Sequence, residues 1–74
     1  MNRYVICASN DGYPASLEIG KVYRVLSDAD ASRSGEVRVV DEEGEDYLYP
    51  RSFFFEPISI PARVQRAVDR RHAI

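Results

Sequence analysis

The chain has 74 residues, 45% of them hydrophobic and 30% charged, a composition that fits one small globular domain and excludes a disordered segment. Ten Lys and Arg against twelve Asp and Glu leave a net charge of −2, which argues against a phosphate-tracking nucleic-acid surface. One cysteine rules out an internal disulfide framework, and no apolar run reaches the roughly 18 residues of a membrane span.

The start, Met1-Asn2-Arg3-Tyr4, leads straight into a strand pattern without the apolar stretch of a secretion signal, so the cytoplasm is the expected compartment. Tyr4-Val5-Ile6-Cys7-Ala8 is an unbroken apolar run rich in β-formers and too short for a helix. It stops at the turn cluster Ser9-Asn10-Asp11-Gly12, with Pro14 close behind. Leu17-Glu18-Ile19 alternates, and Gly20-Lys21 turns the chain into Val22-Tyr23-Arg24-Val25-Leu26. There Tyr23 and Val25 share one face and Arg24 takes the other. Residues 27–35 hold no apolar side chain larger than alanine and read as a solvated loop. Glu36-Val37-Arg38-Val39-Val40 and Asp46-Tyr47-Leu48-Tyr49 form the next two strands, joined by Asp41-Glu42-Glu43-Gly44-Glu45 with Gly44 as the left-handed residue. Pro50 ends the pairing, because it has no N–H to donate. Phe53-Phe54-Phe55 reads as a single helical turn or a short strand. Five short strands without a crossover helix predict a mainly β domain, a small barrel or sandwich.

After Pro57 the period changes. Ile58 and Ile60 alternate around Ser59, and Pro61 can open a helix at its first turn. Val64, Ala67, Val68 and Arg71 then fall on one helical face, with Arg63, Arg66 and Arg70 as a stripe beside it. The expected division is a barrel over residues 1–60 and a helical tail over 61–74. Residues 1–61 carry six basic and eleven acidic groups, −5, whereas 62–74 carry four basic and one acidic, +3. So short a helix is marginal alone, so the tail either docks on the barrel or waits for a partner. Docking is expected to rest on the valines, with the arginines orienting it.

The order of these signals resembles the SH3-like small β-barrel. Tyr4 to Ala8 is similar to its opening strand, Asn10 to Ser16 to its long irregular hairpin, and Leu17 to Leu26 to the diverging turn and the strand after it. Tyr47-Leu48-Tyr49-Pro50-Arg51-Ser52-Phe53-Phe54 resembles the closing segment, a strand ending in Pro followed by a short 3₁₀ turn. The resemblance covers roughly residues 4–58 and implies a five-stranded SH3-like barrel with a short C-terminal α-helix. It does not extend to the polyproline groove. Ser9 and Asp11 stand where that groove has tyrosines, and there is no tryptophan. The segment Gly44-Glu45-Asp46-Tyr47-Leu48-Tyr49-Pro50 also resembles one found in short, uncharacterised bacterial proteins.

Chemistry-bearing motifs are sparse. Asp28-Ala29-Asp30-Ala31-Ser32 starts like a calcium loop, but Arg33 and Val39 occupy the positions that require Gly and Glu. The acidic run Asp41 to Asp46 reads as a hydrated hairpin tip. Cys7 reads as a small buried hydrophobe, and His72 as a residue favouring the helix C-terminus. No nucleophile elbow or phosphate loop is present. No catalytic residue, metal ligand or cofactor is assigned.

The aromatics are more informative. Tyr23, Phe54 and Leu48 are expected in the core with Val5, Cys7, Leu17, Ile19, Val25 and Val39. Some of Tyr13, Tyr47, Tyr49, Phe53 and Phe55 must then reach the surface, either covering the barrel ends or forming a contact patch. The function expected is a non-enzymatic protein-interaction module. Tyr13, Tyr47, Tyr49, Pro50 and Phe53 would contact a protein partner beside the acidic hairpin. A homodimer, through a strand edge or the Val64/Val68 face, is the alternative; nucleic-acid binding through Arg63, Arg66 and Arg70 is the weaker one.

Overall fold

Alternation of large apolar and polar side chains sets the sheet. The computed structural model describes residues 3–57 and 59–71; the readings made for Ile58 and His72 lie outside the described residues. The strands are β1 (Arg3–Cys7), β2 (Val22–Leu26), β3 (Glu36–Val40), β4 (Asp46–Pro50) and β5 (Phe54–Phe55). They pair antiparallel in the order β4-β3-β2-β1-β5. The domain is mainly β, as expected, and the sheet curls into a half-barrel whose two edges, β4 and β5, are joined by a 3₁₀ turn over Arg51–Phe53.

Register collects the core on the concave face. Val5 stands opposite Tyr23, Val25 opposite Val39, and Val37 opposite Tyr49. These residues, with Cys7 and Leu17, form one buried cluster. Leu17 enters it from the loop between β1 and β2 and is fully buried, but Ile19 is 59% exposed and leaves the expected core. The segment 17–19 is not a strand. The backbone reverses there, with Gly20 at φ +89 donating to the Cys7 carbonyl and Lys21 donating to that of Glu18. Leu48 also departs from the expected core. It pairs with Arg38 on the convex face and is only partly buried, because Tyr47 and Tyr49 take the inward positions of β4.

The expected loop at 27–35 contains a helix, α1 (Ala29–Arg33). Asp28 caps it: its Oδ1 accepts the Ala31 N–H at 3.0 Å, while its Oδ2 accepts from Arg38 Nε at 2.8 Å. Ala31 is buried where α1 packs on β3. The helix therefore needs no large apolar residue, only a cap and one small side chain against the sheet. The Ala31 N–H and then the Arg38 guanidinium hold the Asp28 carboxyl below its ordinary range. A depressed carboxyl contributes stability above its unfolded pKa of about 3.9 and loses it as pH falls. Asp28→Ala is accordingly expected to lower the melting temperature at pH 7, with the deficit shrinking at pH 2. An equal deficit at both would assign the effect to something other than the charged cap.

The tail is docked. Helix α2 (Ala62–Arg71) starts directly after Pro61, whose carbonyl accepts the Val64 and Gln65 N–H groups at 2.9 and 3.0 Å. It packs against β2 on the convex face. Val68 is 2% exposed there, and buried Tyr4 points its hydroxyl at the Asp69 carboxylate, 3.1 Å from each oxygen. Val64 is half-buried and Ala67 exposed. The expected orienting role of the arginines is corrected: Arg63, Arg66 and Arg70 are exposed, and no ion pair among the described residues includes them. The tail's one acidic residue makes the polar contact instead. No helix among the described residues is long and apolar enough to cross a membrane.

Candidate functional site: an aromatic seam beside an acidic hairpin

Backbone pairing stops between β4 and β5, and side chains fill the gap. Tyr47 and Tyr49 point inward from β4, opposite Val39 and Val37. Phe53 leaves the 3₁₀ turn and Phe54 opens β5 on the other side, both packed against the core. The loop after β1 folds over this gap and inserts Tyr13. Its ring centroid lies 5.0 Å from Tyr49 at 88°, 6.2 Å from Tyr47 at 56° and 6.2 Å from Phe53 at 65°. The edge-to-face contacts with Tyr49 and Phe53 suit the ring quadrupoles, and the tilted contact with Tyr47 completes the cluster. Pro50 sits half-buried at the end of the edge strand β4, where a missing N–H costs no ladder bond.

Depth separates the members of the seam. Tyr49 is 1% exposed and belongs to the core, so it does not offer a surface; Tyr47 is 53% exposed. Tyr13 and Phe53 lie between these limits. The expected binding set Tyr13, Tyr47, Tyr49, Pro50 and Phe53 is thus brought to one region, with Tyr49 beneath it. The tail residues Val64, Val68, Arg63, Arg66 and Arg70 lie apart from it, on the helix covering the convex face.

The hairpin between β3 and β4 is not a uniformly hydrated tip. Asp41 is only 3% exposed, because it follows Val37 and Val39 in the inward alternation of β3. Its Oδ2 accepts the Tyr49 hydroxyl at 2.8 Å and its Oδ1 the Glu43 N–H at 2.9 Å. Glu42 accepts the Tyr23 hydroxyl and pairs with Lys21 at 3.3 Å. Burial, reinforced by the adjoining carboxylate, pushes the phenols of Tyr23 and Tyr49 well above their ordinary range. Gly44, at φ +78, makes the turn, as expected. The hairpin is tied to the first loop: Glu42 N donates to the Ser16 carbonyl at 2.9 Å, and Ser16 Oγ to Glu43 Oε1 at 3.0 Å.

Between loop and hairpin lies a cleft of about 460 Å³. Tyr13, Tyr47 and Tyr49 form its aromatic side, and Asp41, Glu43, Glu45 and Asp46 its acidic one. Among the described residues, no basic side chain lines it. Aromatic faces and carboxylates both attract cations, the first by their quadrupole and the second by charge. The carboxylates do not converge on one point: no group of three His, Cys, Asp or Glu among the described residues is placed to hold a metal ion. Cys7 is buried, donates weakly to the Ser9 carbonyl at 3.3 Å, and has its thiol pushed up by desolvation, the reverse of an activated nucleophile. No family model, curated protein or solved structure matches the chain.

Proposed function

We propose that the chain is a non-enzymatic protein-interaction module that takes a basic segment of a partner protein in the aromatic and acidic cleft. The observation that carries this reading is Tyr47, a residue 53% exposed in the wall of a cleft lined by four acidic residues and, among the described residues, by no basic one. Tyrosine combines large contact area with little entropy to lose, and a negative rim steers positively charged partners. Tyr13 and Phe53 extend the apolar surface, while Tyr49 and Asp41 support it from beneath. A reducing, cytoplasmic setting agrees with a lone, buried thiol at Cys7.

The test is a titration of the full chain with an octalysine peptide, followed by nuclear magnetic resonance. Resonances of Tyr13, Tyr47 and Glu45 are expected to move, and affinity to fall as salt rises. Tyr47→Ser combined with Phe53→Ser should weaken binding roughly tenfold, the scale of an interface hot spot, with the circular-dichroism spectrum retained. Shifts confined to other surfaces would defeat the reading.

A second reading rests on a different residue. Phe55 is 68% exposed on the short edge strand β5, the sort of edge across which two copies can pair. A native mass spectrum showing a dimer that Phe55→Ser abolishes would favour it.

A further inference from the structure

We infer that the cleft selects arginine over lysine in the segment it binds. This rests on the reading just proposed and specifies the side chain that fills the site. The ring of Tyr47 is clamped on its buried side, 5.3 Å from Tyr49 at 63° and 6.2 Å from Tyr13 at 56°. Its neighbours meet it at steep angles and hold the ring as a platform, while the residue stays about half exposed and lines the cleft. Acidic residues line the cleft with that platform: Glu45, two residues before it, and Glu43 in the hairpin turn. Asp41 is occupied by Tyr49 and serves only as background charge.

A planar guanidinium meets both features together. It stacks flat on an aromatic face while its N–H groups reach outward in the plane to separate carboxylates; an ammonium is drawn to both as a compact point charge, but it does not stack and holds its hydration shell more strongly. The hairpin already holds such a guanidinium on its convex side. Arg38 donates from Nε to Asp28 at 2.8 Å and from Nη1 to Asp46 at 3.0 Å, bridging two carboxylates from different elements. Asp46 is thus engaged by an arginine on the convex side, which shows the hairpin's carboxylates taking a guanidinium in this way. The volume, about 460 Å³, lies in the range of sites that enclose small ligands, roughly 300–1,000 Å³.

Two probes of equal length and charge decide the matter: acetylated, amidated octa-arginine and octalysine, titrated into the full chain by calorimetry at two salt concentrations. The arginine probe is expected to bind about 3–10-fold more tightly, the scale of one partly desolvated cation–π contact. Tyr47→Ser should bring the two affinities together by weakening the arginine probe, and Tyr47→Phe should preserve the difference. Equal affinities in the native chain would overturn the selectivity and leave the basic-segment reading standing. Tyr47→Ser weakening both probes by the same factor would likewise overturn it, by assigning Tyr47 to general contact. If neither probe binds, the selectivity and the underlying reading fall together.

Discussion

Tyr23→Ala is expected to remove about half or more of the domain's stability. Emptying a buried aromatic site costs about 3–5 kcal/mol, against a total stability of roughly 4–11 kcal/mol for a domain of this length. Tyr23 is fully buried in the concave core, so neighbouring side chains cannot collapse from outside to fill the gap. Its hydroxyl also joins two segments, accepting the Glu18 N–H at 2.8 Å and donating to Glu42. Removing the side chain takes away both contacts together with the ring. Tyr23→Phe separates the contributions, since it keeps the ring and removes only the hydroxyl, at about 1–3 kcal/mol. Urea unfolding of the three proteins measures this. A loss below about 1 kcal/mol for the alanine variant would mean that Tyr23 does not organise the core.

Alkali should unfold the domain cooperatively. The phenols of Tyr23 and Tyr49 are both raised, first by burial and then by the carboxylates of Glu42 and Asp41. In the unfolded chain they ionise near pH 10. A group raised on folding contributes its stability fully below the unfolded value and loses it as pH climbs, since only the unfolded state gives up the proton. The expected result is a urea midpoint that is nearly flat from pH 7 to 8 and declines gently above about pH 8.5, as the buried Cys7 thiol ionises only in the unfolded chain. Above about pH 10 it falls steeply, where the two phenols add the slope of two protons. Absorbance at 295 nm should show the phenolates of these residues forming only with unfolding. Tyr49→Phe should remove about half of that slope and, by taking the donor from buried Asp41, cost about 1–3 kcal/mol at neutral pH. A midpoint that stays level to pH 11 would contradict the buried tyrosine–carboxylate pairs.

Alternation made most of this sheet legible. Val22 to Leu26 and Glu36 to Val40 show inward residues at every second place in the sequence, and the strands follow them. The same parity, carried one step past Val39, points Asp41 inward. The acidic composition of the run masks that position, because five acidic residues and a glycine carry no hydrophobic period of their own. For α1 the capping signal at Asp28 was present, but a five-residue helix with one buried alanine leaves no hydrophobic periodicity. Ile19 departs from expectation for the opposite reason: an alternating triplet is too short to tell a strand from a turn that buries Leu17 alone. The seam was legible as a surplus of aromatics, whereas its depth order was not. Whether Tyr47 or Tyr49 reaches solvent depends on how far the first loop folds over β4, and nothing in the local sequence of the strand encodes that.

The ties between the first loop and the hairpin bear on the thermodynamics of recognition. Both walls of the cleft are fastened before any partner arrives, through Ser16 to Glu42 and Glu43 and through Tyr49 to Asp41. Ordering a loop or a rotamer-rich side chain on association costs about 0.5–1.5 kcal/mol for each one immobilised. Here the aromatic rings are already wedged against one another and the hairpin base is bonded to the core. On the proposed reading, the entropic cost of association would therefore fall almost wholly on the incoming segment rather than on the 74-residue chain.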